Sequence, residues 1–226
     1  MVDQSIVVST RPSGHSAGKL KRRRAILDAA RQIITELGDA GLTMRALAAH
    51  AGVSPATPYN LFGSKQAVLQ AVYDEDQEEF YRDFEVRASK EPLTRLFDLI
   101  DMSIAHWLRT PEFHKALLAI LYRSAVIAVQ SGVNPPRLTY VFVQELVDEA
   151  VAAGVLRPDT PVAIVTATLA RIFRSAGQEW IDGVLTLEQA RNDLGRSFAL
   201  VLAGQVTPTW KEPLAAIVRR YEAGEG

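Results

Sequence analysis

The sequence predicts an all-α protein, and three observations lead to that prediction. Apolar residues recur at spacings of three and four over most of the chain, which is the period of a helix with one buried face. Proline and glycine interrupt this pattern at intervals that suit helix ends, and no stretch alternates apolar and polar residues as a half-buried strand does. No unit of about 20–50 residues repeats, which argues against a solenoid. With 226 residues, 48% of them hydrophobic, the chain can bury a sizeable core.

The charge distribution is uneven although the formal net charge is only −1. Residues 1–65 carry nine Lys or Arg against four Asp or Glu, whereas the remainder carries sixteen against twenty-two. A basic head on an acidic body indicates nucleic-acid binding at one end, because neutralised phosphates supply most of the non-specific affinity for DNA. A merely solvated surface is the other interpretation of such an asymmetry.

Several classes of protein are disfavoured by composition. The chain has no cysteine, so disulfides, thiolate metal sites and a cysteine nucleophile are excluded. Its apolar runs are shorter than the roughly 18 residues of a membrane span, and no signal peptide is visible. We therefore expect a cytoplasmic protein.

The first helix is expected to follow a flexible arm at residues 1–18. Five basic residues then come together and would lie along DNA phosphates: Lys19, Lys21, Arg22, Arg23 and Arg24. The apolar stripe of this helix runs from Ile26 to Leu37, and Gly38 and Gly41 end it.

Residues 43–62 have the pattern of two short helices joined by a tight turn. Thr43 is a good N-cap for the first of them, and Gly52 suits a left-handed turn position. Ser54 is placed to cap the second helix, with Pro55 at its first position. The segment therefore predicts a helix-turn-helix.

Seven further helices are expected after this segment. Ser64 caps a long helix from Lys65 to about residue 88, and six others follow, near residues 92–110, 113–130, 138–153, 162–181, 187–202 and 210–221. The long helix carries an acidic run at residues 74–79, which we expect to face water. No metal site is expected there, because no histidines are evidently placed to complete one.

Residues 20–70 resemble the tetracycline-repressor (TetR) family through three motifs: Arg24 to Ala30, Thr43 to Ser54, and Tyr59 to Lys65. The resemblance implies a three-helix DNA-binding domain followed by a helical ligand-binding and dimerisation domain. The expected boundaries are 1–18 for the arm, 19–66 for the DNA-binding domain and 67–226 for the remainder. It further implies a homodimeric repressor, associated with the nucleoid and released from a palindromic operator by a small, largely hydrophobic effector, with no cofactor.

By this resemblance a set of polar and small residues contacts bases or phosphates of double-stranded DNA. They are Lys21, Arg22, Thr43, Arg45, Ser54, Ala56, Thr57, Tyr59, Asn60 and Lys65. Pro58 departs from the family pattern, which commonly has Leu, Ile or Val there. We expect it to shorten or tilt the recognition helix.

Two sets of residues in the helical body are predicted on weaker grounds. Aromatic and polar residues on otherwise apolar helices are the candidates for effector binding: His106, Trp107, His114, Tyr122, Arg123, Phe142, Gln144 and Trp180. Family members dimerise through their last two large helices, here near residues 162–181 and 187–202. The dimer candidates on them are Ile164, Thr168, Arg171, Arg191, Leu194 and Phe198.

Two other hypotheses stay open at this point. A DNA-binding protein without an effector would need no cavity in its body. A helical enzyme could use Asp98, Asp101 and His106, although Asp101 and His106 are five residues apart and diverge on a helix. No nucleophile–base pair or phosphate-binding loop accompanies these residues. We therefore do not expect an enzyme.

Overall fold

A computed structural model describes residues 14–130 and 138–223, with side chains described at 17–123 and 139–223. Within those residues the regular elements are helices, so the all-α prediction is confirmed. The only β-type pairing described is an isolated antiparallel bridge between Leu156 and Val206. The chain forms two compact units, one ending at Asp74 and the other beginning at Glu75. None of the described helices is long and apolar enough to span a membrane.

The N-terminal unit contains helices α1 (Gly14–Gly41), α2 (Met44–His50) and α3 (Ala56–Phe62), and the start of α4 (Lys65–Arg87). Helix α1 begins at Gly14, four residues before the predicted end of the arm, so the Lys- and Arg-rich run lies within the helix. The rest of the predicted arm, residues 1–13, lies outside the described part of the chain. Gly38 has a φ of 60°, which breaks the regular helix where the sequence predicts an end.

Helix α2 follows its predicted pattern closely. The Thr43 side chain accepts a hydrogen bond from the backbone N–H of Ala46 at 3.1 Å, which satisfies one of the free donors of the first turn. Met44, Leu47 and Ala48 are buried. Gly52 has a φ of 62°, as predicted for the turn between the two short helices.

Helix α3 starts differently from the prediction. Ser54 does not cap a backbone N–H; its hydroxyl lies 2.8 Å from the hydroxyl of Thr57, and its carbonyl accepts from the Thr57 N–H at 2.9 Å. Pro58 is consequently the third helical residue, where the missing N–H would have had no partner within the helix. The expected cost of Pro58 is therefore largely avoided, and its ring is buried.

The C-terminal unit contains the rest of α4 and six more helices: α5 (Pro92–Arg109), α6 (Pro111–Gln130), α7 (Leu138–Ala152), α8 (Val162–Ile181), α9 (Leu187–Ala203) and α10 (Lys211–Glu222). A single 3₁₀ turn, Pro208–Trp210, precedes α10. Helix α8 packs on α6, α7 and α9, while α9 packs on α5 and α10. These contacts enclose one continuous apolar core.

Helix α5 is the most heavily buried of these helices, with buried residues on more than half of its length. Glu91 caps it by accepting from the N–H groups of Leu93 and Thr94, at 2.7 and 2.8 Å. Because α5 contacts α6, α7 and α9, any polar side chain on its inner face must find a partner inside the unit.

Candidate DNA-binding surface and buried sites

The helix-turn-helix presents an exposed polar face. Arg45 projects from the first turn of α2, and Tyr59 and Asn60 are exposed on α3, where the tyrosine side chain is 58% accessible. A large aromatic ring held in water on a short helix is a candidate for contact with a partner. The guanidinium and phenol groups can donate to phosphate oxygens, and the Asn60 amide can pair with a base edge.

The smaller candidates on this face are tied into the fold by hydrogen bonds. Thr43 is exposed while its oxygen accepts from Ala46, so its hydroxyl proton is still available for donation to a phosphate. Ser54 and Thr57 bond to each other, and Ala56 is exposed beside them. Short-range hydrogen bonds therefore orient Thr43, Ser54 and Thr57 on this face.

The basic candidates fall into two groups. Lys21 and Arg22 are exposed on α1, whereas Lys65 is half-buried and donates to the carbonyl oxygen of Asp39 at 2.8 Å. The Lys65 ammonium also lies 2.7 Å from the Asp39 carboxylate. Its charge is already compensated within the unit, so the expectation of a phosphate contact at Lys65 becomes weaker than for Lys21 and Arg22.

Arg23 shows a second structural use of the basic run. Its guanidinium lies 4.6 Å from the centre of the Phe62 ring, a cation–π distance that connects α1 to the end of α3. Phe62 is thus a packing residue.

Comparison with known proteins identifies this unit. Residues 26–72 match the model of the bacterial regulatory proteins of the tetR family. The HTH-type transcriptional regulator UidR of Escherichia coli strain K12 is 43% identical over 56 residues, which are 25% of this chain and 29% of UidR. This N-terminal segment is therefore similar to TetR-family regulators. Its match to BetI of Rhizobium meliloti, another HTH-type transcriptional regulator, is 46% over 50 residues, 22% of this chain and 25% of BetI.

Solved TetR-family structures share the fold over most of the chain. A TetR transcription regulator from Haloarcula marismortui aligns with a TM-score of 0.66 and 19% identity, over 83% of this chain and all of that one. SmeT, the repressor of the Stenotrophomonas maltophilia multidrug efflux pump SmeDEF, aligns with a TM-score of 0.61 and 21% identity, over 82% and 91% of the two chains. The fold of this chain is therefore similar to that of these TetR-family structures.

The predicted effector residues meet only in part. His106, Trp107 and Phe142 line one small cavity of about 40 Å³ in the C-terminal unit. Trp180 stacks on Trp107 with ring centres 5.5 Å apart and nearly parallel planes. Four of the eight predicted effector residues therefore lie together at this cavity or stack beside it.

The other four candidates do not line that cavity. Arg123 is exposed and does not line this cavity, so the structure gives its selection no support. Gln144 is half-buried on α7. Tyr122 lies on α6, and burial raises the pKa of its phenol to about 12. His114 is buried in a different cluster.

That cluster, which we call the Asp–His–His cluster, consists of Asp76, His106 and His114. Nε2 of His114 lies 3.2 Å and Nε2 of His106 lies 3.3 Å from the same oxygen, Oδ1 of Asp76. Burial opposes the charge of Asp76, but the two imidazoles outweigh it and hold the pKa of the carboxyl well below its usual range. Asp76 is only 4% exposed.

The cluster corrects two expectations. The acidic run of α4 does not face water throughout, and histidines from α5 and α6 do reach it. The sequence held one indication, since Asp76 falls on the apolar stripe of α4 between Val72 and Phe80, both of which are buried. A charged residue on a buried stripe needs a partner, which only the tertiary fold supplies.

The dimer candidates also divide by exposure. Ile164 is 67% exposed and Arg171 is exposed on α8, with Thr168 half-buried between them. Leu194 and Phe198 are wrong choices, because both side chains are completely buried in the core of their own unit.

Arg191 is likewise used inside the unit. It donates to Oδ1 of Asp101 at 2.8 Å, and Asp101 also accepts from the Tyr221 hydroxyl at 3.1 Å. The outward apolar residue of α9 is instead Leu200, 78% exposed. It borders an open groove of about 610 Å³ between α9 and α10.

The residues of the enzyme hypothesis do not converge on one site. Asp98 accepts from the backbone N–H of Ser89 at 2.7 Å, Asp101 binds Arg191 and Tyr221, and His106 belongs to the Asp–His–His cluster. The two relatives that match the N-terminal unit are both described as HTH-type transcriptional regulators.

Proposed function

We propose that this chain is a homodimeric transcription regulator, and most simply a repressor, that binds a palindromic operator through α2 and α3. The observation that carries the proposal is the exposed face of Arg45, Tyr59 and Asn60 on a helix-turn-helix that matches the TetR-family model. Lys21, Arg22, Thr43, Ser54, Ala56 and Thr57 complete the proposed contact surface. Lys65 supports this surface by fixing the start of α4 to Asp39.

Dimerisation is proposed to use the outward faces of α8 and α9. Ile164 and Leu200 are large apolar side chains left in water on these helices, and Arg171 is exposed two turns after Ile164 on the same face of α8. Covering them with a second copy would remove apolar area from water at roughly 25 cal/mol per Å². A two-fold dimer would place two α3 helices about 34–36 Å apart, in successive major grooves.

Effector binding is proposed at the aromatic group of Trp107, Phe142 and Trp180. The cavity there, about 40 Å³, is far smaller than the roughly 300–1,000 Å³ of a ligand pocket. A small hydrophobic effector would therefore select a more open conformation of the C-terminal unit, and its binding would shift the population away from the DNA-binding form.

The small cavity also favours a second candidate, a regulator that binds DNA without any effector. The two candidates differ in one measurable respect. An aromatic effector should both raise the thermal stability of the purified protein and weaken its complex with DNA, whereas the effector-independent protein should show no such ligand in a small-molecule screen.

Selection of genomic DNA fragments by the purified full-length protein tests the proposed function. We expect recovery of fragments that share a palindrome and that are each bound by two copies of the chain. In the cell, this binding would place the protein in the cytoplasm, at the nucleoid. Light scattering of the free protein should give twice the mass of one chain. Recovery of fragments with no common sequence, or a monomer at micromolar concentration, would contradict the operator or the dimer respectively.

A further inference from the structure

The Asp–His–His cluster joins three helices at one buried point of the C-terminal unit. Asp76 comes from α4, His106 from the end of α5 and His114 from the start of α6. One ligand atom from each residue can be chosen so that all three atoms lie within 4.8 Å of one another. The side chains are 3–5% exposed, so the point where they meet is shielded from bulk water.

The Nε2 atom of His114 faces Asp76. The contacts of the other ring nitrogen, Nδ1, indicate whether Nε2 carries a proton. Nδ1 lies 3.0 Å from the carbonyl oxygen and 3.2 Å from the hydroxyl oxygen of Thr110; because the nearer carbonyl oxygen can only accept, we assign the proton of the neutral ring to Nδ1. In the neutral imidazole, Nε2 is then an acceptor aimed at a carboxylate oxygen 3.2 Å away. Two acceptors in contact need either a proton or a cation between them.

His106 reinforces this requirement. Its Nε2 is buried and has no aligned hydrogen-bond partner, although it lies 3.3 Å from Oδ1 of Asp76. A buried nitrogen without a hydrogen bond is costly unless something else satisfies it. Both imidazoles thus present Nε2 to the same carboxylate oxygen.

The spacing of these atoms fits a metal ion. Ligands about 2.1 Å from a tetrahedral metal are about 3.4 Å apart, close to the two nitrogen–oxygen distances in the cluster. The Nδ1–H to Thr110 carbonyl bond is also the arrangement that commonly orients a metal-binding histidine.

We propose that Asp76, His106 and His114 form a binding site for one divalent transition cation of the Zn²⁺, Co²⁺ or Ni²⁺ type. Two imidazoles and one carboxylate suit these ions, whereas Mg²⁺ and Ca²⁺ prefer oxygen ligands alone. His106 also lines a cavity of about 40 Å³, which is large enough for one water molecule. The site does not depend on the proposed function in transcription.

Metal titration of the chelator-treated, full-length protein tests the site. With Zn²⁺ alone, we expect one ion per chain and a rise in melting temperature, since an ion that binds only the folded state stabilises it. His106→Gln and His114→Gln should each weaken Zn²⁺ binding at least about 100-fold. His50→Gln, which removes an exposed histidine of α2, is the matched control and should bind as the wild type does. Mg²⁺ alone should produce no shift.

X-ray absorption of the zinc-loaded wild-type protein tests the ligand set without any variant. We expect nitrogen and oxygen ligands at about 2.0–2.2 Å, with the outer-shell scattering of two imidazoles. Absence of zinc binding at about 100 µM, equal zinc affinity in wild type and in folded His114→Gln, or a spectrum without two imidazoles would each overturn the proposal.

Discussion

The two units of this chain use their polar residues in opposite ways. In the N-terminal unit, Arg45, Tyr59 and Asn60 are presented to water by two short helices. In the C-terminal unit, the distinctive polar residues are turned inward, where Asp76, His106 and His114 meet among buried aromatic rings. The first arrangement suits a large external partner such as DNA, and the second suits a small ion.

This difference has an energetic basis. Exposed polar groups cost little in the free protein, so a binding surface can carry many of them. A buried carboxylate is tolerated only with partners that satisfy it, because an isolated buried charge would destabilise the fold by several kcal/mol. The Asp–His–His cluster must therefore be satisfied in the folded state, whether by protons or by a metal ion.

Replacing Leu47 by Ala should destabilise the N-terminal unit but not the C-terminal unit. Leu47 is completely buried in α2, so we expect a loss of about 3 kcal/mol in the free energy of unfolding of this unit. The three tryptophans, Trp107, Trp180 and Trp210, all lie in the C-terminal unit. Urea unfolding should therefore shift by circular dichroism while tryptophan fluorescence changes little.

A matched control for this variant is available in the same unit. Leu37→Ala removes a leucine that is 58% exposed on α1 and should change stability by less than about 0.5 kcal/mol. Equal shifts of both optical signals in Leu47→Ala would show that the two units unfold as one.

Replacing Gly195 by Ala should destabilise the C-terminal unit. A Cβ atom there would lie 2.3–2.5 Å from ring atoms of Tyr221, so α9 and α10 would have to move apart. We expect a loss of about 2 kcal/mol, seen by tryptophan fluorescence. Gly204→Ala is the control, since nothing lies within 4 Å of its added Cβ. A Gly195→Ala protein as stable as the wild type would contradict this prediction, because it would show that α9 and α10 can separate at no cost in stability.

Tyr221→Phe should have a smaller effect on stability, and it tests the role of a buried polar group in the C-terminal unit. Burial and the neighbouring Asp101 raise the pKa of the Tyr221 phenol above its ordinary value of 10.0. The hydroxyl therefore contributes stability fully below pH 10, and this contribution is lost as the pH rises towards the folded pKa.

We expect Tyr221→Phe to lower the free energy of unfolding by about 1 kcal/mol at pH 8, because the hydrogen bond to Asp101 is removed. The difference between the two proteins should shrink between pH 10 and 11 in urea titrations. A difference that stays constant over this range would contradict the assigned role of the hydroxyl.

The N-terminal unit was largely predictable from sequence because its determinants are local. Thr43, Gly52 and Ser64 act within one or two turns of where they stand, and the caps of Thr43 and Ser64 form as predicted. The predicted cap at Ser54 is wrong, because its hydroxyl bonds to the Thr57 side chain and α3 begins one residue later than predicted.

The buried sites could not be predicted in the same way. Asp76 and His114 are 38 residues apart in sequence, so no spacing rule connects them. Leu194 and Phe198 form an apolar stripe on α9 whether they face a second copy or their own core, and only the packing of α5 and α10 on α9 decides between these.

We propose above that residues 43–62 bind DNA. The salt dependence of operator binding tests this proposal. Fluorescence anisotropy with a selected operator fragment should show affinity falling steeply with salt for the wild type. Arg45→Ala should weaken binding about 10-fold and reduce the slope of log K against log salt concentration by about 1, as for the loss of one phosphate contact. Arg82→Ala, which removes an exposed arginine of α4 in the C-terminal unit, should match the wild type. Arg45→Ala with wild-type affinity and an unchanged slope would contradict the claim.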